Sequence, residues 1–182
     1  SITQDKHLWV SAPRISPKAV NPQPQLNRIF ARYARPQMKE VKLLDNGIGY
    51  FDYRGFVGGD RGFDMIDAVM HQLAMADAII IDLRYNGGGS PGTVQYLCSY
   101  FFEEEGKLLG SIYSRFDDHT EEFRTQKVNG KKRPEVSVII LTSERTFSAA
   151  EDFSYTMQSF GRATLVGEVT GGGAHPVRSH SL

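Results

Sequence analysis

The sequence predicts an α/β domain with a mainly parallel sheet flanked by helices, and three observations carry that expectation. Apolar, β-branched runs at 78–83 and 136–141 are too short for buried helices and read as continuous apolar strands. Each run stops abruptly at polar residues and then restarts with a 3.6-residue apolar period, the mark of a helix packed on a sheet. Two strand-turn-helix units therefore bring small residues, Gly87-Gly88-Gly89 in one and Ser148 in the other, to corresponding ends of parallel strands.

Residues 1–40 read as an N-terminal connecting segment: a strand around 8–10, an irregular stretch over 11–25 and a short helix over 26–33, with five of the eight prolines between Pro13 and Pro36. Strands at 41–44 and 48–53 flank Asp45-Asn46-Gly47, whose Asn-Gly pair predicts a type I′ hairpin. Ile66, Val69, Met70 and Leu73 recur at helical spacing, with His71 at the surface of that helix or partly packed. After the triple glycine, Ser90 predicts an N-cap with Pro91 in the first helical position, and Val94, Leu97, Cys98 and Phe101 give the helix its buried stripe. Segments 107–116 and 121–128 form an antiparallel excursion, joined by Asp117-Asp118-His119 and closed at Asn129-Gly130. Lys131-Lys132-Arg133 reads as a solvated charge cluster. The strand at 136–141 leads through Ser148 into a helix with Ala150, Phe153, Met157 and Phe160 on its apolar face, and 163–167 is a last short strand.

Composition narrows the function classes. A chain of 182 residues, 40% hydrophobic, buries a real core, and 21 Lys plus Arg balance 21 Asp plus Glu, so the charge total points neither to nucleic acid nor to an anionic membrane. No apolar run approaches the ~20 residues of a membrane span. The triple glycine lacks the Gly-Lys-Ser/Thr of a phosphate loop, and Cys98, spaced with apolar neighbours, reads as a core residue. The first residues carry neither an initiator Met nor a leader, which suggests a processed or excised piece.

Ser148 stands at the start of its helix, and two readings are open. As an N-cap, a role Thr146 could also take, its hydroxyl accepts from an orphan amide while Glu151 completes a Ser-x-x-Glu capping box. As a nucleophile, it stands at the carboxyl end of a parallel strand, where open α/β sheets place their sites, with helix amides facing any developing negative charge. Capping boxes are far commoner than nucleophiles, so these residues by themselves favour the cap. The glycines, likewise, either make a tight turn or bring backbone amides close to a ligand.

IIIDLRYNGGG (79–89), TFSAAE (146–151) and GRATLVGEVTGGG (161–173), in this order and spacing, resemble the tail-specific or C-terminal-processing peptidases of family S41. Within that family the chain is more similar to bacterial relatives of the interphotoreceptor retinoid-binding protein and to the tricorn core, because ITQDKHLWV (2–10) resembles their Asp-x-His-Leu segment. The resemblance implies a ClpP/crotonase-like spiral of β-β-α units and an S41-type catalytic core over 41–182, truncated at its C-terminus. It makes Ser148 the nucleophile. The processing peptidases carry a lysine in a Gly-Lys-Gly where this chain has Gly171-Gly172-Gly173, so a Ser–Lys dyad is absent; His7 falls where the tricorn-like members place a histidine base. A third member, a glutamate, is expected beyond Leu182.

The function so implied is a serine peptidase, without metal or cofactor, that cleaves polypeptides near C-terminal or unstructured segments. His7 takes the Ser148 proton, and the oxyanion is held by backbone amides of Ala149 and of Gly88 or Gly89. Glu168 and His175 are accessory candidates. The partner is a polypeptide substrate, with neither nucleic acid nor a membrane span, and the family implies the cell envelope, periplasm or a secreted location. Two other classes compete: a catalytically silent module binding an apolar ligand or peptide, and a crotonase-type acyl-CoA enzyme, which needs no serine nucleophile.

Overall fold

The computed structural model describes residues 37–173, so the expectations for 1–36, His7 among them, and for 174–182, with His175, lie outside the described residues. A hairpin of β1 (Met38–Leu43) and β2 (Ile48–Tyr53) opens the fold, and α1 (Asp60–Gln72), β3 (Ala78–Asp82) and α2 (Pro91–Ser99) follow. Next come β4 (Leu108–Ser114), β5 (His119–Arg124), β6 (Ser137–Thr142), α3 (Ala149–Ser159) and β7 (Ala163–Gly167). Five strands make one sheet in the order β1-β2-β3-β6-β7, parallel from β2 onward, while β4 and β5 form a separate antiparallel ribbon. This is the mainly parallel α/β sheet with helices that the sequence predicts.

Steps from β2 to β3, β6 and β7 all run the same way across the sheet, so right-handed crossovers put their helices on one face. Register lines up the residues that meet them: Phe51 pairs with Ile81, and Ile81 with Ile140. All three are at most 1% exposed and share one core with Met65, Ile66, Leu97, Phe101, Phe153 and Met157. Burying each such side chain contributes about 1.5–3 kcal/mol. The neighbouring row, Tyr50, Ile80 and Ile139, is half-buried.

Several local expectations need correction. Gly47 has φ 77°, but Asn46 does not have a positive φ; Gly47 N donates to Leu44 O at 3.0 Å. The turn is thus a type I turn followed by a left-handed glycine, not type I′. Phe160 is 41% exposed, because α3 ends at Ser159 and leaves it as the C-cap, edge-on to Phe102. His119 is the first residue of β5 rather than part of the turn, and that strand stops at Arg124. Arg133 is not a freely solvated charge. It donates to the carbonyls of Leu73, Ala74 and Ala76, closing the C-terminal end of α1. Cys98 is fully buried, and burial pushes its thiol up.

Candidate active site

The turns after β3 and β6 lie side by side at the carboxyl ends of the strands. Thr146, fully buried, donates from Oγ1 to Leu83 O at 2.8 Å; Phe147 N donates to Asn86 O at 3.0 Å, and Ser143 Oγ to Arg84 O at 2.5 Å. Thr146 is therefore a bolt between turns rather than a cap. Asn86 is also fully buried, donating from Nδ2 to Tyr53 O (2.9 Å) and accepting from Gly88 N at Oδ1 (2.8 Å). One side chain so ties the end of β2 to the glycine turn, while its backbone carbonyl holds the Ser148 turn. Asp82, at the end of β3, accepts from Arg84 and from Tyr50; burial pushes its carboxyl up, but these bonds outweigh burial and leave it below the usual range.

Ser148 is exposed and has φ 55° and ψ −123°, a left-handed conformation that costs a non-glycine residue about 1–3 kcal/mol. It occupies the N-cap position of α3, and the Ser-x-x-Glu box is present: Glu151 Oε2 accepts from Ser148 N at 2.7 Å. The Glu151 amide, however, donates to the Ser148 carbonyl at 2.8 Å, and the hydroxyl, though within capping range, makes no cap hydrogen bond. Glu151 also accepts from Gly172 N, Gly173 N and the Thr170 side chain. Burial pushes its carboxyl up, but these donors prevail and hold it below its ordinary range.

Gly88 packs directly on this serine. A Cβ there would lie 2.7 Å from Ser148 Cβ and 3.0 Å from Ala149 N, so only glycine fits the approach. Ala149 begins α3, and its amide has no intrahelical acceptor. Of the two glycines the sequence leaves open as amide donors, Gly88 has its N–H committed to Asn86. Gly89 does not. A parallel bridge to Phe56 uses Gly88 O and Ser90 N, so the Gly89 N–H points away from Phe56. At the rim, the exposed Tyr85 ring has the guanidinium carbons of Arg54 and Arg145 at 5.0 and 5.5 Å.

The described structure thus brings together Ser148, Ala149 and Gly88, with Gly89 next in the same turn and packed on Phe56. Glu168 is not among them by any hydrogen bond: its carboxylate meets the Glu144 amide at 3.4 Å, and its backbone pairs with Thr142. Sequence reasoning missed Asn86 and the wider reach of Glu151. For Asn86 a signal exists, since an Asn two residues before a glycine is the pattern of an Asx turn. Among the described residues no group of His, Cys, Asp and Glu could hold a metal ion, and no helix is long and apolar enough to cross a membrane.

Known proteins share this fold. The model of peptidase family S41 matches residues 47–182. A tail-specific protease of Haemophilus influenzae is 30% identical over 109 residues, 59% of this chain and 15% of that protein. Among solved structures, a candidate peptidase of Parabacteroides merdae aligns with a TM-score of 0.57 at 30% identity, over 81% of this chain and 50% of that one. A candidate S41 protease of Bacteroides fragilis aligns with a TM-score of 0.59 over 75% of this chain and 38% of that one; at 22% identity it speaks to the fold alone. The chain spans half or less of the length of each of these relatives.

Proposed function

The chain belongs to peptidase family S41, and from that premise we propose that it is a serine peptidase cleaving polypeptides near C-terminal or unstructured segments, with Ser148 as nucleophile. The observation that carries this reading is the backbone of Ser148. An N-cap residue ordinarily has β-region angles, and Ser90, at the N-cap position of α2, has them at φ −78° and ψ 125°. Ser148 caps α3 at φ 55° and ψ −123° instead. Capping needs no such strain. A sharp turn that leaves the hydroxyl exposed beside the first free amide of a helix is what nucleophilic attack requires.

In the proposed reaction His7 accepts the Ser148 proton as Oγ bonds to the scissile carbonyl carbon. The oxyanion is met by the amides of Ala149 and Gly89, and the C–N bond breaks as the amine leaves with the proton from His7. Water, deprotonated by the same histidine, then hydrolyses the acyl ester. Histidine suits both steps because it titrates near neutrality. His175 is the alternative base, and the cell envelope or a secreted location is part of the same proposal.

Fluorophosphonate labelling of the full-length protein and of its Ser148→Ala variant tests the reading. Labelling that disappears in the variant is the expected result. A folded wild-type protein that does not label overturns it and turns attention to apolar-ligand binding.

A further inference from the structure

After β7 the chain crosses back over the nucleophile turn as a strap, residues 170–173. Gly171 N donates to Thr146 O at 2.9 Å. Gly172 N and Gly173 N donate to Glu151 Oε1 and Oε2, each at 2.7 Å, and the Thr170 side chain bonds to the same carboxylate. The ring of Phe147 fills the space beside the strap: a Cβ on Gly173 would lie 2.3 Å from it, and one on Gly171 2.8 Å.

A capping box uses a glutamate for one purpose, to accept the N-cap amide. Here Oε2 accepts from Ser148 N and from Gly173 N, the latter 22 residues further along the chain from Glu151. A single oxygen links the residue next to Phe147 with the strap that lies against Phe147. All four partners of the carboxylate, Ser148 N, Thr170, Gly172 N and Gly173 N, are donors. Only a group with acceptors on both oxygens satisfies them, which a glutamine of the same size cannot do.

We propose that Glu151 is a positioning residue: its carboxylate locks the 170–173 strap to the nucleophile turn and so holds Ser148 in the strained conformation needed for attack. The kinetic half of this inference rests on the serine-peptidase reading. The docking of the strap does not.

The test uses the full-length protein, its Glu151→Gln variant and a Gly173→Ala variant, with two readouts: hydrogen exchange and the rate of fluorophosphonate labelling. In Glu151→Gln the amides of Ser148, Gly172 and Gly173 exchange about ten- to a hundredfold faster, while the amides of β3 and β6 keep their protection. Labelling slows on the order of a hundredfold, as a displacement of about 1 Å at a reacting group does. Gly173→Ala drives a methyl into the Phe147 ring with Glu151 intact, and gives the same loosening of the strap and the same slower labelling. Unchanged exchange in the strap of Glu151→Gln overturns the docking. Unchanged labelling with a loosened strap in either variant overturns the positioning role and leaves Glu151 a helix cap. Should the wild-type protein not label at all, the peptidase reading and the kinetic half fall together, and exchange alone decides whether the strap is docked.

Discussion

Replacing Gly88 by alanine probes how tightly the two turns pack. The added Cβ would lie 2.7 Å from Ser148 Cβ, 2.8 Å from Phe147 O and 3.0 Å from Ala149 N. Carbon atoms sit best at about 3.5–4.0 Å, so one turn must retreat by about 1 Å. Overpacking of this kind costs about 1–3 kcal/mol, and the φ of 102° at Gly88 adds about 1–3 kcal/mol for a residue with a side chain. Against a total of about 5–15 kcal/mol for a domain, the variant folds with reduced stability. The retreat falls on the residues beside Ser148, so labelling by a fluorophosphonate slows on the order of a hundredfold. Gly87→Ala is the control. Its Cβ meets nothing within 4 Å and its φ is not left-handed, so stability stays level or rises by about 0.4–1 kcal/mol and labelling is kept. Denaturant midpoints and labelling rates of the two variants decide. If they match in both measurements, the close approach of the turns is not what restricts position 88 to glycine.

Two further predictions concern stability away from the serine. Tyr53 is fully buried, burial pushes its phenol up, and its hydroxyl has no hydrogen-bond partner among the described residues. Tyr53→Phe removes an unsatisfied group and raises stability by about 1 kcal/mol in urea unfolding; a loss of that size instead reveals a partner. Arg133→Ala strips three carbonyls at the end of α1 of their donor and costs about 2 kcal/mol, with Arg133→Lys recovering only part because an ammonium lacks the planar fork. A change in melting below about 0.5 kcal/mol would show that water serves these carbonyls equally well.

Much of this was legible because period and punctuation agree. The strands run over Ala78–Asp82 and Ser137–Thr142, within a residue of the apolar runs, and Ala150, Phe153 and Met157, each fully buried, repeat on one helix face. What was not legible depends on partners far along the chain. Arg133 sits among lysines and looks solvated; its acceptors lie at 73, 74 and 76. Phe160 fits the helical period but falls one residue beyond the helix end, where period no longer dictates burial. Asn-Gly favours type I′, yet one left-handed residue at Gly47 suffices, and a Cβ there would meet Asp77 Oδ2 at 2.4 Å. The choice between Gly88 and Gly89 could not be made from spacing, because it turns on the hydrogen bond from Gly88 N to Asn86.

The two readings of Ser148 compete only while both need its hydroxyl. In the structure the cap is shared between side chains and backbone: Glu151 Oε2 accepts from the Ser148 amide, and the Glu151 amide faces the Ser148 side chain and donates to the Ser148 carbonyl at 2.8 Å. Both halves of the Ser-x-x-Glu box are present, so the pattern closes the helix start. The strain that remains, about 1–3 kcal/mol at φ 55°, is offset by bonds on the Ser148 amide and carbonyl and by bonds on its neighbours. Thr146 is bonded to Leu83, Phe147 to Asn86, and the strap to Glu151. A plain cap would relax to the β-region angles Ser90 shows, because nothing in capping demands otherwise. Three separate anchors around one exposed serine are more than a helix start requires.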